Sequence, residues 1–63
     1  MLLAESSGWI SIVEVAKSTK SYLVLRFPQE KKQRKVFNAE RGRRWEMFTD
    51  VNEATTWIKS HAD

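Results

Sequence analysis

The chain has 63 residues, no cysteine, 41% hydrophobic and 30% charged residues, and a formal net charge of +3. This length allows one domain with a small core, and the lack of cysteine excludes disulfides and the usual zinc frameworks. The hydrophobic fraction, with three Trp, three Phe and one Tyr, is too high for a disordered chain. We therefore expect one folded domain. A homodimer stays open, because small domains without disulfides or metals often depend on a partner subunit.

The first residues show little periodicity and end in Ser6-Ser7-Gly8, which indicates a flexible lead over residues 1–8 and a single domain over residues 9–62. No apolar run approaches the roughly 18 residues of a membrane span. The start of the chain also lacks the basic residues and apolar length of a signal peptide. We therefore expect a cytoplasmic protein that has no membrane partner.

Two strands are predicted next. Residues 9–16, WISIVEVA, are rich in β-branched residues and carry apolar side chains on both faces, which favours a strand covered on both sides. Residues 22–27, YLVLRF, alternate between two faces. One face carries the three large apolar side chains, Leu23, Leu25 and Phe27. The polar residues 17–21 favour a turn, so the two strands are predicted to form a hairpin.

Pro28 is predicted to end the second strand because it cannot donate a ladder hydrogen bond, and the polar residues 29–33 indicate a loop. Residues 34–39 and 44–48 predict a third and a fourth strand. Between them lies a turn in which Gly42 can take a positive φ.

The segment from Lys31 to Arg44 stands out by charge. It carries seven of the chain's eleven Lys and Arg residues and one acid, Glu40, which gives it a formal charge of +6. Because the segment contains the two short predicted strands, we expect a basic hairpin with an anionic partner.

The last element is a predicted helix. Asp50 can cap its N-terminus while Glu53 completes a capping box. The following residues recur at helical spacing as one apolar stripe. Its members are Val51, Ala54, Trp57, Ile58 and His61. Trp57 is expected to fill most of the space between helix and sheet. The sequence therefore predicts an α+β fold: an antiparallel three- or four-stranded sheet with one C-terminal helix packed on one face.

Residues for catalysis are few. The chain has one histidine, His61, near its C-terminus, no cysteine, and acids that are scattered singly. This pattern gives no nucleophile with a base and no transition-metal spacing. We therefore expect no enzyme, no catalytic residue, no metal and no cofactor.

The basic hairpin favours nucleic acid, with duplex DNA first, because Lys and Arg neutralise phosphates and a two-stranded ribbon can enter the major groove. The large aromatic residues Phe27, Trp45, Phe48 and Trp57 are expected in the core instead. The candidate nucleic-acid-binding residues are Tyr22, Arg26, Lys31, Lys32, Arg34, Lys35, Arg41, Arg43 and Arg44.

Two alternatives concern the open face of the sheet. If the helix covers the Leu23 face, Tyr22 and Arg26 lie on the opposite face beside Arg44. That face can bind single-stranded DNA or RNA, with Tyr22 or Trp9 as stacking platforms. It can also dock on another protein, as in an inhibitor domain, or on a second copy of the chain.

A family resemblance lies in the segment FTDVNEATTWI, Phe48 to Ile58. It resembles the Phe-Thr-x-x-x-Glu-Ala-x-x-Trp passage from strand to helix in the arm-site DNA-binding domains of tyrosine recombinases. Those domains are small antiparallel sheets backed by one helix, and the sheet enters the major groove, as in plant ethylene-response-factor domains. The resemblance implies that Arg34, Lys35, Arg43 and Arg44 face the groove. A curved four-stranded sheet followed by a helix is also similar to the repeat of Whirly-like single-strand binders, which form dimers.

Overall fold

Six strands and one α-helix follow one another along the chain in the computed structural model, which describes residues 1–61. The elements are β1 (Leu2–Glu5), β2 (Ile10–Ile12), β3 (Glu14–Ser18), β4 (Tyr22–Phe27), β5 (Lys32–Phe37), a 3₁₀ turn (Asn38–Glu40), β6 (Trp45–Phe48) and α1 (Val51–His61). The predicted α+β class, with antiparallel strands and one C-terminal helix, is confirmed.

The strands form two antiparallel sheets. The first sheet has the order β2-β1-β6, and the second has the order β3-β4-β5. The strand predicted over residues 9–16 is divided at Val13, which is 1% exposed. The part before Val13 pairs with β1, and the part after it pairs with β4. The chain therefore passes from one sheet to the other at a single buried residue.

The start of the chain corrects a prediction. Residues 1–8 were expected to form a flexible lead, but Leu2–Glu5 is the central strand of the first sheet. Leu3 and Ala4 are both 0% exposed. A strand of four residues is too short to show a periodic pattern, and one of its partners, β6, lies about forty positions along the chain. Residues 2–5 therefore form a strand because of their tertiary contacts, and not because of a local sequence pattern.

The core lies between the two sheets. The cluster contains Leu3, Val13, Leu23, Leu25, Phe27, Val36 and Trp45, with Met47 packed against it. The predicted core positions Phe27 and Trp45 are confirmed, at 6% and 3% exposure. Phe48 and Trp57 are only half-buried, and their ring centroids lie 6.4 Å apart beside the helix.

The helix packs on the first sheet, against β1 and β6. It follows Asp50, whose Oδ1 accepts a hydrogen bond from the backbone N–H of Asn52 at 2.7 Å, so the predicted cap is present. Its one buried residue is Ala54, so the expectation that Trp57 fills the gap between layers is wrong. Trp57 instead stacks on His61, with ring centroids 4.3 Å apart.

Opposite faces of β1 meet different layers. Successive side chains of a strand point to opposite faces, so Leu3 faces the second sheet while Ala4 faces the helix. The strands β1 and β6 are thus covered on both sides, by the second sheet and by the helix. In the part of the chain that the structure describes, the outer face of the second sheet has no element packed over it.

The predicted basic hairpin is not formed. β5 pairs with β4 in the second sheet, whereas β6 pairs with β1 in the first. Between them the chain turns through Asn38–Glu40 and Gly42, which has a φ of +83° as predicted. The prediction failed because the first residues were not recognised as a strand, which left β5 as the nearest partner for β6. No helix among residues 1–61 has the length and apolar character needed to cross a membrane.

Candidate nucleic-acid interface

The uncovered face of the second sheet, called the outer face here, is defined by strand register. Residues directly opposite each other in neighbouring strands share a face. Along β4 and β5 the outward pairs are Tyr22 with Phe37, Val24 with Lys35, and Arg26 with Gln33. From β3, Glu14 lies opposite Arg26 and Lys17 lies opposite Val24. The outer face therefore combines two aromatic rings with three cations and one acid.

Two aromatic rings occupy one end of this face. The centroids of Tyr22 and Phe37 lie 6.5 Å apart with an interplanar angle of 67°, an edge-to-face pair. Phe37 is 50% exposed, although it stands in a strand. The Lys35 Nζ lies 4.3 Å from the centroid of Tyr22. Lys35 thus covers part of Tyr22, while the ring of Phe37 stays open to solvent.

Hydrogen bonds fix this end of the sheet. Asn38 follows β5, and its Nδ2 donates to the carbonyls of Thr19 at 3.1 Å and Lys20 at 3.0 Å. The backbone N–H of Tyr22 donates to Thr19 Oγ1 at 3.0 Å. From the first sheet, Trp45 Nε1 donates to the carbonyl of Phe37 at 3.0 Å. These bonds hold the backbone that carries the aromatic pair, so the rings are presented on a fixed support.

Four of the predicted cations form ion pairs within the chain. Arg26 pairs with Glu14 at 3.3 Å, Lys32 with Glu30 at 3.7 Å, Arg41 with Glu46 at 2.8 Å, and Arg34 with Glu5. The cationic side chains in these pairs are between 46% and 61% exposed. The partner carboxylates of Glu14 and Glu30 are also exposed, whereas those of Glu5 and Glu46 are only 21% and 25% exposed. The two exposed pairs contribute about 0–1 kcal/mol, so a phosphate can replace Glu14 or Glu30 at little cost.

The structure separates the nine predicted binding residues into four groups. Tyr22, Arg26 and Lys35 lie on the outer face. Lys32 and Arg34 point to the other side of β5 because side chains alternate along a strand. Lys31 lies in the turn before β5, and Arg41, Arg43 and Arg44 lie between the 3₁₀ turn and β6. Of the four residues that the recombinase resemblance placed in a groove, Arg34 and Lys35 therefore lie on opposite sides of β5, and the other two precede β6.

Arg44 was expected beside the open face. It directly precedes β6, and its carbonyl accepts a hydrogen bond from the backbone N–H of Ser6 at 2.9 Å. Ser6 directly follows β1 and Arg44 directly precedes β6, so Arg44 lies at one end of the first sheet and does not extend the outer face.

Sequence reasoning missed two residues of the outer face, Phe37 and Lys17. Lys17 was assigned to a turn, whereas β3 continues to Ser18. Phe37 alternates with Gln33 and Lys35, and this spacing was available in the sequence. The sequence alone did not show the register between β4 and β5, which places Phe37 opposite Tyr22.

The chain matches no protein-family model, no curated protein and no solved structure. Within residues 1–61, no group of three or more His, Asp or Glu side chains is placed to hold a metal ion. The function is therefore inferred from the chain's own surface, of which the outer face has the most distinctive chemistry.

Proposed function

We propose that this chain is a small binding module for single-stranded nucleic acid and that it binds the strand on the outer face. One observation carries the proposal: a half-exposed Phe37 beside Tyr22 and Lys35 on a sheet face that no described element covers. Proteins that bind single strands combine aromatic rings, on which bases stack, with cations that follow the phosphates.

The charges on the outer face support the same ligand. Lys17, Arg26 and Lys35 surround the central Val24, against one acid, Glu14. If all three cations contact phosphates, the logarithm of the binding constant falls with the logarithm of salt concentration with a slope of about −2 for a single strand. The slope counts the phosphate contacts, and stacking on Phe37 would add affinity that does not change the slope.

Duplex DNA fits this face less well. Its bases are stacked on one another, so an exposed aromatic ring has no base face to contact. The duplex mode expected from the sequence required a two-stranded basic ribbon, and β5 and β6 belong to different sheets. Single strands leave the base faces accessible, which is the feature that Phe37 can use.

Binding is tested by fluorescence anisotropy with labelled single-stranded DNA, single-stranded RNA and duplex DNA of matched sequence, at about 50 and about 200 mM salt. We expect one of the single strands to bind more tightly than the duplex, with the slope given above. Comparison of the single-stranded DNA with the single-stranded RNA shows whether the protein prefers deoxyribose or ribose. Tighter binding of the duplex, with a slope near −4.5 for about five phosphate contacts, would overturn the proposal.

A pair of variants tests the location. Phe37→Ala removes the open ring, and Val51→Ala on the helix is its control because the two side chains are 50% and 54% exposed. Stacking on one ring contributes about 1–3 kcal/mol, so we expect Phe37→Ala to weaken binding at least about fivefold. Val51→Ala is expected to bind as the parent does. Equal binding by both variants contradicts a site on the outer face.

A further inference from the structure

We infer that a bound strand continues from the outer face across the edge of β5 to a second stacking position at Trp9. This inference rests on the proposed function and extends it to the length of ligand that the protein takes. β5 is one of the two edge strands of the second sheet. Its side chains alternate, so Lys35 and Phe37 lie on the outer face while Lys32 and Arg34 lie on the other side. Positively charged side chains therefore lie on both faces of the sheet along its free edge at β5.

The second position repeats the chemistry of the first. Trp9 is 69% exposed, more than any other large hydrophobic residue described. It lines a shallow cavity of about 230 Å³ together with Phe27, Lys32 and Arg34. The Arg34 guanidinium lies 5.4 Å from the centroid of the Phe27 ring, so this cation is held beside the cavity. An exposed indole beside two cations is a second place where a base can stack while its phosphate is neutralised.

Two acids also line this cavity, Glu5 and Glu30, and each is the partner of a cation there: Glu5 pairs with Arg34 and Glu30 with Lys32. The Lys32 side chain is 61% exposed and that of Arg34 46%, so both remain open to a competing anion. Lys31, in the turn before β5, adds a further positive charge. Residues 31–35 carry four cations against the two acids Glu5 and Glu30, so the edge as a whole is net positive, which suits a phosphate backbone.

The length of β5 sets the length of the ligand. Lys32 and Phe37 are five residue steps apart, which at about 3.3 Å per residue corresponds to about 17 Å. A stacked strand rises about 3.4 Å per nucleotide, so about five nucleotides span this distance and three fall short of it. A trinucleotide would then occupy only the outer face, whereas an octanucleotide would reach Trp9 as well.

The test compares a trinucleotide with an octanucleotide, first by anisotropy with the parent chain, Trp9→Ala and Ile12→Ala. Ile12 is the control because it is 56% exposed in the neighbouring strand β2. We expect Trp9→Ala to weaken octanucleotide binding at least about fivefold, by the loss of one stacking contact, and to leave trinucleotide binding unchanged. Ile12→Ala is expected to bind both oligonucleotides as the parent does.

Tryptophan emission gives an independent readout. In a Trp57→Phe background the remaining indoles are Trp9 and Trp45, and Trp45 is 3% exposed. The octanucleotide is expected to quench this emission and the trinucleotide to leave it unchanged. If both oligonucleotides bind and Trp9→Ala weakens neither, the second position is overturned while the proposed function stands. If neither oligonucleotide binds at low salt, both proposals fall together.

Discussion

The ammonium group of Lys35 lies 4.3 Å from the centroid of the Tyr22 ring, on the outer face of the second sheet. Val24 stands directly opposite Lys35 in the neighbouring strand, and Phe37 stands opposite Tyr22. The cation is therefore placed next to the open ring of Phe37 before any ligand arrives. This arrangement reduces the ordering that a bound phosphate would require.

Lys35→Gln is the variant that isolates this charge. It removes one phosphate contact, so we expect weaker binding of single strands and a salt slope shallower by about 0.7. The measurement is the binding constant over a series of salt concentrations. Lys59→Gln makes the same change on the helix, which packs on the other sheet, and should leave the slope unaltered. Equal slopes for both variants would show that Lys35 contacts no phosphate.

Leu3→Ala tests the role of β1 in the core. Leu3 is 0% exposed in the central strand of the first sheet, and such truncations cost about 2–5 kcal/mol. A domain of this size has a total stability of about 3–9 kcal/mol, so we expect the variant to lose a large part of the parent's stability. Urea denaturation followed by circular dichroism measures the loss.

The control for Leu3→Ala is Ile12→Ala in the adjacent strand, where the side chain is 56% exposed. It should change the free energy of unfolding by no more than about 0.5 kcal/mol. If the two variants have the same denaturation midpoint, the first residues contribute no more to the core than the flexible lead that the sequence alone predicted.

Local signals in the sequence predicted local structure well. Strict alternation over residues 22–27 located β4 at its observed bounds, and Asp50 located the start of the helix. Pro28 ended its strand because it cannot continue the ladder. In each case the sequence pattern that predicts the element lies within that element or directly beside it.

Pairing between distant segments was not predictable in the same way. The division at Val13 and the pairing of β6 with β1 both depend on which faces meet in the core. No local sequence pattern around Val13 or within β6 predicts these contacts. The candidate site shows the same limit. Alternation placed Tyr22 and Arg26 on one face, but Phe37 joined them only through the register of β5 with β4.

Gly42→Ala tests the turn between the sheets. The φ of Gly42 is +83°, and an L-residue pays about 1–2 kcal/mol for this left-handed conformation. No other atom lies within 4 Å of the added Cβ, so the expected loss comes from the backbone alone. Thermal unfolding should show a lower midpoint for Gly42→Ala and a smaller decrease for Gly42→Asn, because Asn tolerates positive φ. Equal midpoints for the two variants would contradict this explanation.

Trp45→Phe tests the link between the core and the outer face. The Trp45 Nε1 donates to the carbonyl of Phe37 at 3.0 Å, so the first sheet holds the backbone of the open ring. Removing the donor leaves this part-buried carbonyl without that partner, at a cost of about 0.5–1.5 kcal/mol in unfolding free energy. We also expect weaker single-strand binding under conditions where the variant remains folded, because Phe37 is held less firmly. Trp57→Phe, which removes an indole outside the core cluster, is the control for both measurements. A Trp45→Phe variant that is destabilised yet binds with unchanged affinity would show that this hydrogen bond supports the fold without positioning Phe37.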